Sequence, residues 1–338
     1  MSIRSKRKCQ QYFLELFLKG AIEMSVFFKD TKEIKTDVLI IGGGSAGMWV
    51  ANEIKKSNNA YSVTVVDKGP AKWGGLLAMS GGDLDAVIPS ENVEDWMEDI
   101  VYYWDGLCDQ PLVERLFSES YQRLKDYEEM GCEFLYDDEG KLKGVPQRGL
   151  KHVKLYLAKD KGCGGEHMAQ GVKKSAEALN VEQIGRVLIT DLIKKNGKSI
   201  GAVGFHTIDG TMYIFKTKAV ILACGQTGWK TSYMNNTSSG DWLNLSLRAG
   251  ARVRNFEFGR VWNVPKLFAW EGQTTLLPLG AKFVNKNGED FMKKYSPIIG
   301  PNTDPHFTTI GMAMECREGR GPIYFDVSEL KMEGNEKS

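Results

Sequence analysis

Asp37-Val38-Leu39-Ile40-Ile41-Gly42-Gly43-Gly44-Ser45-Ala46-Gly47 is an apolar run that ends in spaced glycines. A short run of Val, Leu and Ile predicts a buried parallel strand. Gly42-x-Gly44-x-x-Gly47 predicts a turn, and Met48 to Lys55 predicts the helix after it. Gly42 suits the tight turn, Gly44 lets a phosphate approach the backbone, and Gly47 lets helix and strand pack closely. Ser45 and Ala46 complete a helix start whose N–H groups and positive dipole end suit a pyrophosphate. A second strand, Ser62 to Val66, leads into Asp67, 20 residues after Gly47. An acid at that position accepts hydrogen bonds from an adenosine ribose. A lone glycine fingerprint is a weak signal. Here strand, glycines, helix, second strand and acid follow in order, which predicts a dinucleotide site rather than a turn that only packs strand on helix.

A chain of 338 residues allows two domains, or one large α/β domain with an insertion. Hydrophobic residues make up 42%, enough for a sizeable core. Lys+Arg 44 against Asp+Glu 43 leaves a net charge of +1, so nothing points to nucleic acid. The six cysteines are scattered without a C-x-x-C pair, so the sequence predicts no metal site and no iron–sulfur ligand set of its own. Free thiols fit a reducing, cytoplasmic setting. No apolar run approaches the roughly 20 residues that span a bilayer. Arg4, Lys6, Arg7 and Lys8 precede an apolar run from Tyr12 to Leu18, but Glu15 and Lys19 interrupt it. Residues 1–35 therefore read as an amphipathic or disordered extension rather than a signal peptide, with Met24 a possible start.

After Asp67 and Lys68 comes a loop, Gly74-Gly75-Leu76-Leu77-Ala78-Met79-Ser80-Gly81-Gly82. Such loops bring backbone N–H groups to a ligand, or serve only as connectors. Residues 91–131 read as helices, with Leu112, Val113, Leu116, Phe117, Tyr121 and Leu124 as a core stripe. Asp95, Glu98, Asp99 and Asp105 read as a solvated face. Residues 137–166 read as loop, and Gly162 to His167 as either a ligand lining or a turn before a helix from about Met168. Val187 to Ile189, Ile200 to Phe205, Met212 to Phe215 and Ala219 to Ala223 read as strands, with a hairpin signal at Asp209-Gly210. Prolines then break the pattern from about Asn263, where Lys282 to Asn285, Met312 to Glu318 and Ile323 to Val327 read as strand, helix and strand. The expected organisation is an extension 1–35, a nucleotide domain 36–262, a capping domain 263–330 and a polar tail 331–338.

These blocks, from about Thr36 to Leu330, resemble the fumarate reductase/succinate dehydrogenase flavoprotein family. The marks are Gly42 to Gly47, Asp67-Lys68-Gly69, Ser80-Gly81-Gly82, Gly106 to Gln110, Ala219 to Gly225, Ser239-Gly240-Asp241, Ala249-Gly250-Ala251, Glu257-Phe258, Gly288 to Phe291 and Glu318 to Pro322. Ile200 to Gly225 and Gly319 to Ile323 are most similar to the adenylylsulfate reductase alpha subunit branch. The resemblance implies a Rossmann-like α/β FAD-binding domain with a parallel sheet and a β-meander, plus an inserted α+β capping domain. It implies FAD held by Gly42, Gly44, Ser45, Ala46 and Gly47 at the pyrophosphate and by Asp67 with Lys68 at the ribose. Gly74, Gly75, Ser80, Gly81 and Gly82 would run beside the flavin, Ala223 and Gly225 on the ribose side, and Asp241 toward the flavin region.

The departures carry equal weight. No histidine stands between Lys72 and Ala78, so FAD is expected to be non-covalent. No His-Pro-Thr follows Glu257-Phe258, and Asn302-Thr303-Asp304-Pro305-His306 stands where fumarate reducers carry Arg-Asp. A dicarboxylate would lack its fork-shaped partner. The segment after Glu257 also departs from the adenylylsulfate reductases, so the substrate stays open. Arg260, Lys266 and His306 are the catalytic candidates, the first two as anion binders and His306 as a proton donor. Each also has a bland reading, a surface cation or a loop histidine. The expected function is a flavoprotein subunit passing electrons between a small anionic substrate and a redox partner, an iron–sulfur, ferredoxin-like chain. The alternatives are a fumarate reductase-like enzyme, or a truncated FAD-binding protein without turnover. The chain is short for the family, so its closing helical portion is expected to be missing.

Overall fold

The structure is a computed structural model that describes residues 30–71, 75–147, 149–159, 164–228, 239–258, 265–266 and 273–330. Strand β1 (Thr31–Ile41) is exposed at its start and fully buried over Leu39 to Ile41. It begins inside the segment read as an N-terminal extension; residues 1–29 and the tail 331–338 lie outside the described residues. Helix α1 (Ser45–Ser57) follows the glycine turn and buries Gly47, Met48, Ala51, Asn52 and Lys55, one helical stripe. Buried Lys55 keeps its ammonium bonded by donating to the carbonyls of Asn59 (2.6 Å) and Tyr61 (3.0 Å). Strand β2 (Val63–Val66) is buried throughout and pairs parallel to β1, Val38 with Val63 through Ile41 with Val66.

The chain divides into two compact units, one built from residues within 1–82 and 160–252, the other from residues within 83–159 and 253–338. The second unit opens with β3 (Asp83–Asp85), α2 (Val93–Tyr103) and α3 (Gln110–Glu129). Asn92 caps α2 by accepting the Glu94 N–H, and Asp109 caps α3 by accepting the Leu112 N–H. The expected core stripe of α3 is only partly right. Leu112 and Leu116 are 46% and 60% exposed, while Ser120, Leu124 and Tyr127 are buried. The burying face is rotated toward Trp96, whose ring meets Phe117 edge-on at 5.3 Å. Asp99 is likewise not on a solvated face. It is buried, and its carboxylate accepts three successive N–H groups, from Lys151, His152 and Val153. A carboxylate so supplied with donors tolerates burial. The segment read as loop contains β4 (Gly144–Pro146) and β5 (Lys154–Leu157), which join β3 in a small antiparallel sheet ordered β3-β5-β4. Strands of three and four residues are too short to show a period.

Back in the first unit come α4 (Gly164–Ala178), β6 (Glu182–Ile184), β7 (Val187–Lys195), β8 (Lys198–His206), β9 (Met212–Leu222) and α5 (Asp241–Ala249). The six-stranded sheet runs β6-β2-β1-β9-β8-β7. β6, β2, β1 and β9 are parallel, and β8 and β7 continue as an antiparallel meander. This is the parallel sheet with β-meander that the sequence predicts. One detail differs: Met212 to Phe215 and Ala219 to Leu222 form a single strand, β9, paired with β1 along its whole length. Lys216, Thr217 and Lys218 look like an interruption because they lie partly or wholly in solvent, where a strand carries polar residues at no cost. Leu39, Ile41, Val66, Val187, Ala202, Phe215 and Leu245 form the core between this sheet and α5.

The second unit resumes with a 3-10 turn (Gln273–Leu279), β10 (Lys282–Val284), α6 (Met292–Tyr295), α7 (Pro305–Arg317) and β11 (Tyr324–Asp326), which pairs antiparallel to β10. Helix α7 starts well before the expected Met312. Pro305, read as a breaker, sits in its first turn, where the missing N–H is not needed, and Asp304 caps it by accepting the His306 and Phe307 N–H groups. Leu277, Phe283, Phe291 and Met292 form a separate small core. No described helix is long and apolar enough to cross a membrane.

Candidate cofactor-binding site

A cleft of about 420 Å³ opens at the carboxyl ends of β1, β2 and β9, within the about 300–1,000 Å³ of ligand clefts. Its position follows from topology, since ligands of open parallel sheets bind beyond the carboxyl ends of the strands. One wall is the turn Gly42–Gly44 and the start of α1. Gly42 has φ +112°, and a Cβ there would lie within 3.0 Å of the Ala223 carbonyl. Gly47 lets α1 sit against the Gly42 carbonyl, which a Cβ would overlap. Gly44 caps α1 without a side-chain hydrogen bond, and no acid stands in the first turn. The positive end of α1 therefore brings no acid of its own to the cleft and suits a diphosphate.

Asp67 sits at the end of β2. Its carboxylate accepts the Gly43 N–H and the Gly69 N–H, both at 2.6 Å. Each oxygen keeps a further lone pair for ribose hydroxyls. Lys68 donates to Ser239 Oγ at 2.7 Å and pairs with the Asp241 carboxylate at the start of α5. Cys224 donates its Sγ–H to the Ile41 carbonyl, and burial with Asp67 nearby pushes its thiol up to about 12. The thiol therefore stays protonated at neutral pH, a packing role rather than a redox one.

Residues 37–333 match the FAD binding domain family. The chain belongs to that family. Its cofactor is FAD, and the uncapped helix end, the ribose-side acid and the glycine turn fit it. Curated relatives include a fumarate reductase (CoM/CoB) chain from Methanothermobacter marburgensis, 28% identical over 309 residues covering 87% of this chain and 56% of the relative. A succinate dehydrogenase flavoprotein subunit from Rickettsia bellii is 26% identical, over 85% of this chain and 50% of its own. Among solved structures, the E. coli quinol fumarate reductase FrdA superposes with TM-score 0.78 at 21% identity, covering 89% of this chain and 55% of that one. The adenylylsulfate reductase of Archaeoglobus fulgidus superposes at 0.65 and 21% identity, over 89% and 50%. These structures share the fold. The chain spans about half the length of the curated relatives it matches.

Of the residues expected to hold FAD, Gly42, Gly44, Ser45, Ala46, Asp67, Lys68, Gly75, Ala223, Gly225 and Asp241 all line the cleft. Gly47 stands behind the turn. Ser80 and Gly82 are placed differently. Ser80 Oγ donates to the Leu77 carbonyl, and Gly82 packs so tightly on Gly164 that a Cβ would overlap it. Ser80 and Gly82 lock the loop to α4, and neither they nor Gly81 are among the residues lining the cleft. Gly74 and Arg260 lie outside the described residues. Lys266 and His306 are exposed residues of the second unit and do not line this cleft. Sequence reading missed Gly43, whose N–H fixes Asp67, and the apolar wall of Val187, Leu188, Ile189, Trp242 and Leu245. The available signal was Trp242 directly after Asp241.

Asp67→Ala is expected to weaken FAD binding about tenfold to a hundredfold and to lower stability by about 1–3 kcal/mol, because the Gly43 and Gly69 donors lose their acceptor. Titration followed by flavin fluorescence, with a urea melt, checks both.

Proposed function

We propose that this chain is the FAD-binding part of a flavoprotein subunit of an FAD-dependent oxidoreductase, passing electrons between a small anionic substrate and a redox partner chain. The observation that carries the reading is the cleft at the strand ends, where an uncapped helix start, Asp67 and the Lys68–Asp241 pair converge. Bound flavin supplies the redox chemistry. The protein's share is to hold it. The first turn of α1 takes the diphosphate, Asp67 orients the ribose, and Lys68 and Asp241 offset each other's charge beside it. The apolar wall from β7 keeps water away. With no histidine near Gly75, FAD is held non-covalently. Residues 263–330 are assigned to a cap over the substrate.

The redox partner is an iron–sulfur, ferredoxin-like chain. A second chain is supported by relatives named as flavoprotein subunits, and its iron–sulfur character is carried by the resemblance alone. The substrate favoured is an adenylylsulfate-type anion. Where fumarate reducers carry Arg-Asp, this chain has Thr303, which is buried, and Asp304, which is spent capping α7. A fumarate reductase-like activity is the second reading, favoured by the curated relatives.

The test begins with the absorption spectrum of the purified chain given FAD, before and after acid precipitation. Flavin bands on the protein that pass to the supernatant support non-covalent FAD; a colourless protein after FAD addition overturns the reading. Reoxidation of the reduced flavin by adenylylsulfate, against fumarate, then separates the two substrates, and reoxidation by neither would leave a binding protein without turnover.

A further inference from the structure

The cleft has an end that neither the glycine turn nor Asp67 fills. The diphosphate belongs at the start of α1 and the ribose at Asp67, so the base of a bound dinucleotide lies beyond Asp67, away from α1. The apolar lining includes Val187, Leu188 and Ile189 of β7 and Leu245 and Trp242 of α5, and the Lys68–Asp241 pair brings the start of α5 to the residue next to Asp67. Trp242 is the one aromatic side chain among the described residues lining the cleft. A purine offers a flat π-face for the indole to stack on.

We propose that Trp242 is the base-positioning residue of this cleft, covering the adenine of the bound dinucleotide. The inference rests on the FAD reading, but concerns only the adenylate half of the ligand. Trp242 is fixed for the task by its place on α5. Its neighbour Asp241 is tied to Lys68, and Leu245, one turn on, is buried in the sheet core. Stacking of a base on an aromatic ring is worth about 1–3 kcal/mol, which is about five- to 150-fold in affinity.

The test uses ADP, which carries adenine, ribose and diphosphate without flavin, alongside FAD, on the full chain. Trp242→Ala is expected to weaken ADP and FAD by about tenfold or more each, and Trp242→Phe, which keeps a smaller ring to stack on, to fall between it and the wild type. ADP is also expected to quench the indole emission of the wild type, and this ligand-dependent quench is expected to vanish in Trp242→Phe. Equal ADP affinity in all three proteins, or a quench that persists in Trp242→Phe, overturns the proposal. Should Trp242→Ala not fold, the Phe variant decides by the quench alone. A wild type that binds ADP but not FAD would overturn the flavin reading and leave this one to be judged on its own series.

Discussion

Gly42→Ala should abolish FAD binding and destabilise the first unit by about 2–5 kcal/mol. Two penalties combine. Gly42 has φ +112°, a conformation that L side chains rarely adopt, which alone costs roughly 1–2 kcal/mol. A Cβ would also overlap the Ala223 carbonyl of the neighbouring chain segment, and that oxygen cannot move. Its residue is tied by the Ala223 N–H to the Ile41 carbonyl, at 2.8 Å, and Gly42 N–H is tied to Val66. Forced overpacking of this kind costs about 1–3 kcal/mol. Relief by shifting the turn would move Gly43 off Asp67 and rotate the start of α1 away from the cleft. The control is Gly197→Ala, in the turn between β7 and β8 of the same unit. Gly197 has φ +76° with nothing near its missing Cβ, so only the backbone penalty of about 1 kcal/mol applies, and FAD should still bind. Urea melts and FAD titrations of the two variants check the difference. Equal losses would mean that the turn is not clamped between β9 and α1.

Glu315→Ala is expected to cost the second unit about 3–5 kcal/mol. Glu315 is 1% exposed, on α7, and its carboxylate accepts from Arg320 Nε (2.5 Å) and Nη2 (2.7 Å), Asn285 Nδ2 (2.9 Å), Tyr295 OH (2.7 Å) and Lys294 Nζ (3.2 Å). Removing it leaves Tyr295 without its acceptor and Arg320 held by Glu318 alone, around one buried hole. Lys294→Ala removes only an exposed partner and should cost about 0–1 kcal/mol. The pH dependence follows from the same geometry. The Arg320 guanidinium beside Glu315 holds its carboxyl well below the usual carboxylate range. A carboxyl whose folded pKa is depressed contributes stability above its unfolded value and loses it as pH falls through the folded one. The second unit should therefore keep this contribution at neutral pH and lose it progressively below about pH 4–5, a loss that Glu315→Gln should not show. Melts from pH 7 to pH 3 on the two proteins decide it. Arg320, which from its Gly-Arg-Gly setting reads as structural, is the clamp on this carboxylate.

The sequence by itself determined the sheet and the half of the cleft nearest the glycine turn. Those features are local. A Val/Leu/Ile run, glycines at fixed spacing and an acid ending the next strand each act within a few residues of themselves, so Gly42, Gly44 and Asp67 were legible from the order of residues alone. Only the tertiary structure decided where Asp99, Ser80, Glu315 and Trp242 sit and what they touch. Each draws its meaning from a partner far along the chain: Asp99 from the backbone at Lys151 to Val153, Ser80 and Gly82 from the start of α4, Glu315 from Asn285 and Lys294, and Trp242 from the lining it shares with β7. A buried carboxylate with three N–H donors and a solvated one look alike in a sequence. What separates them is the desolvation that packing imposes and the donors that packing brings.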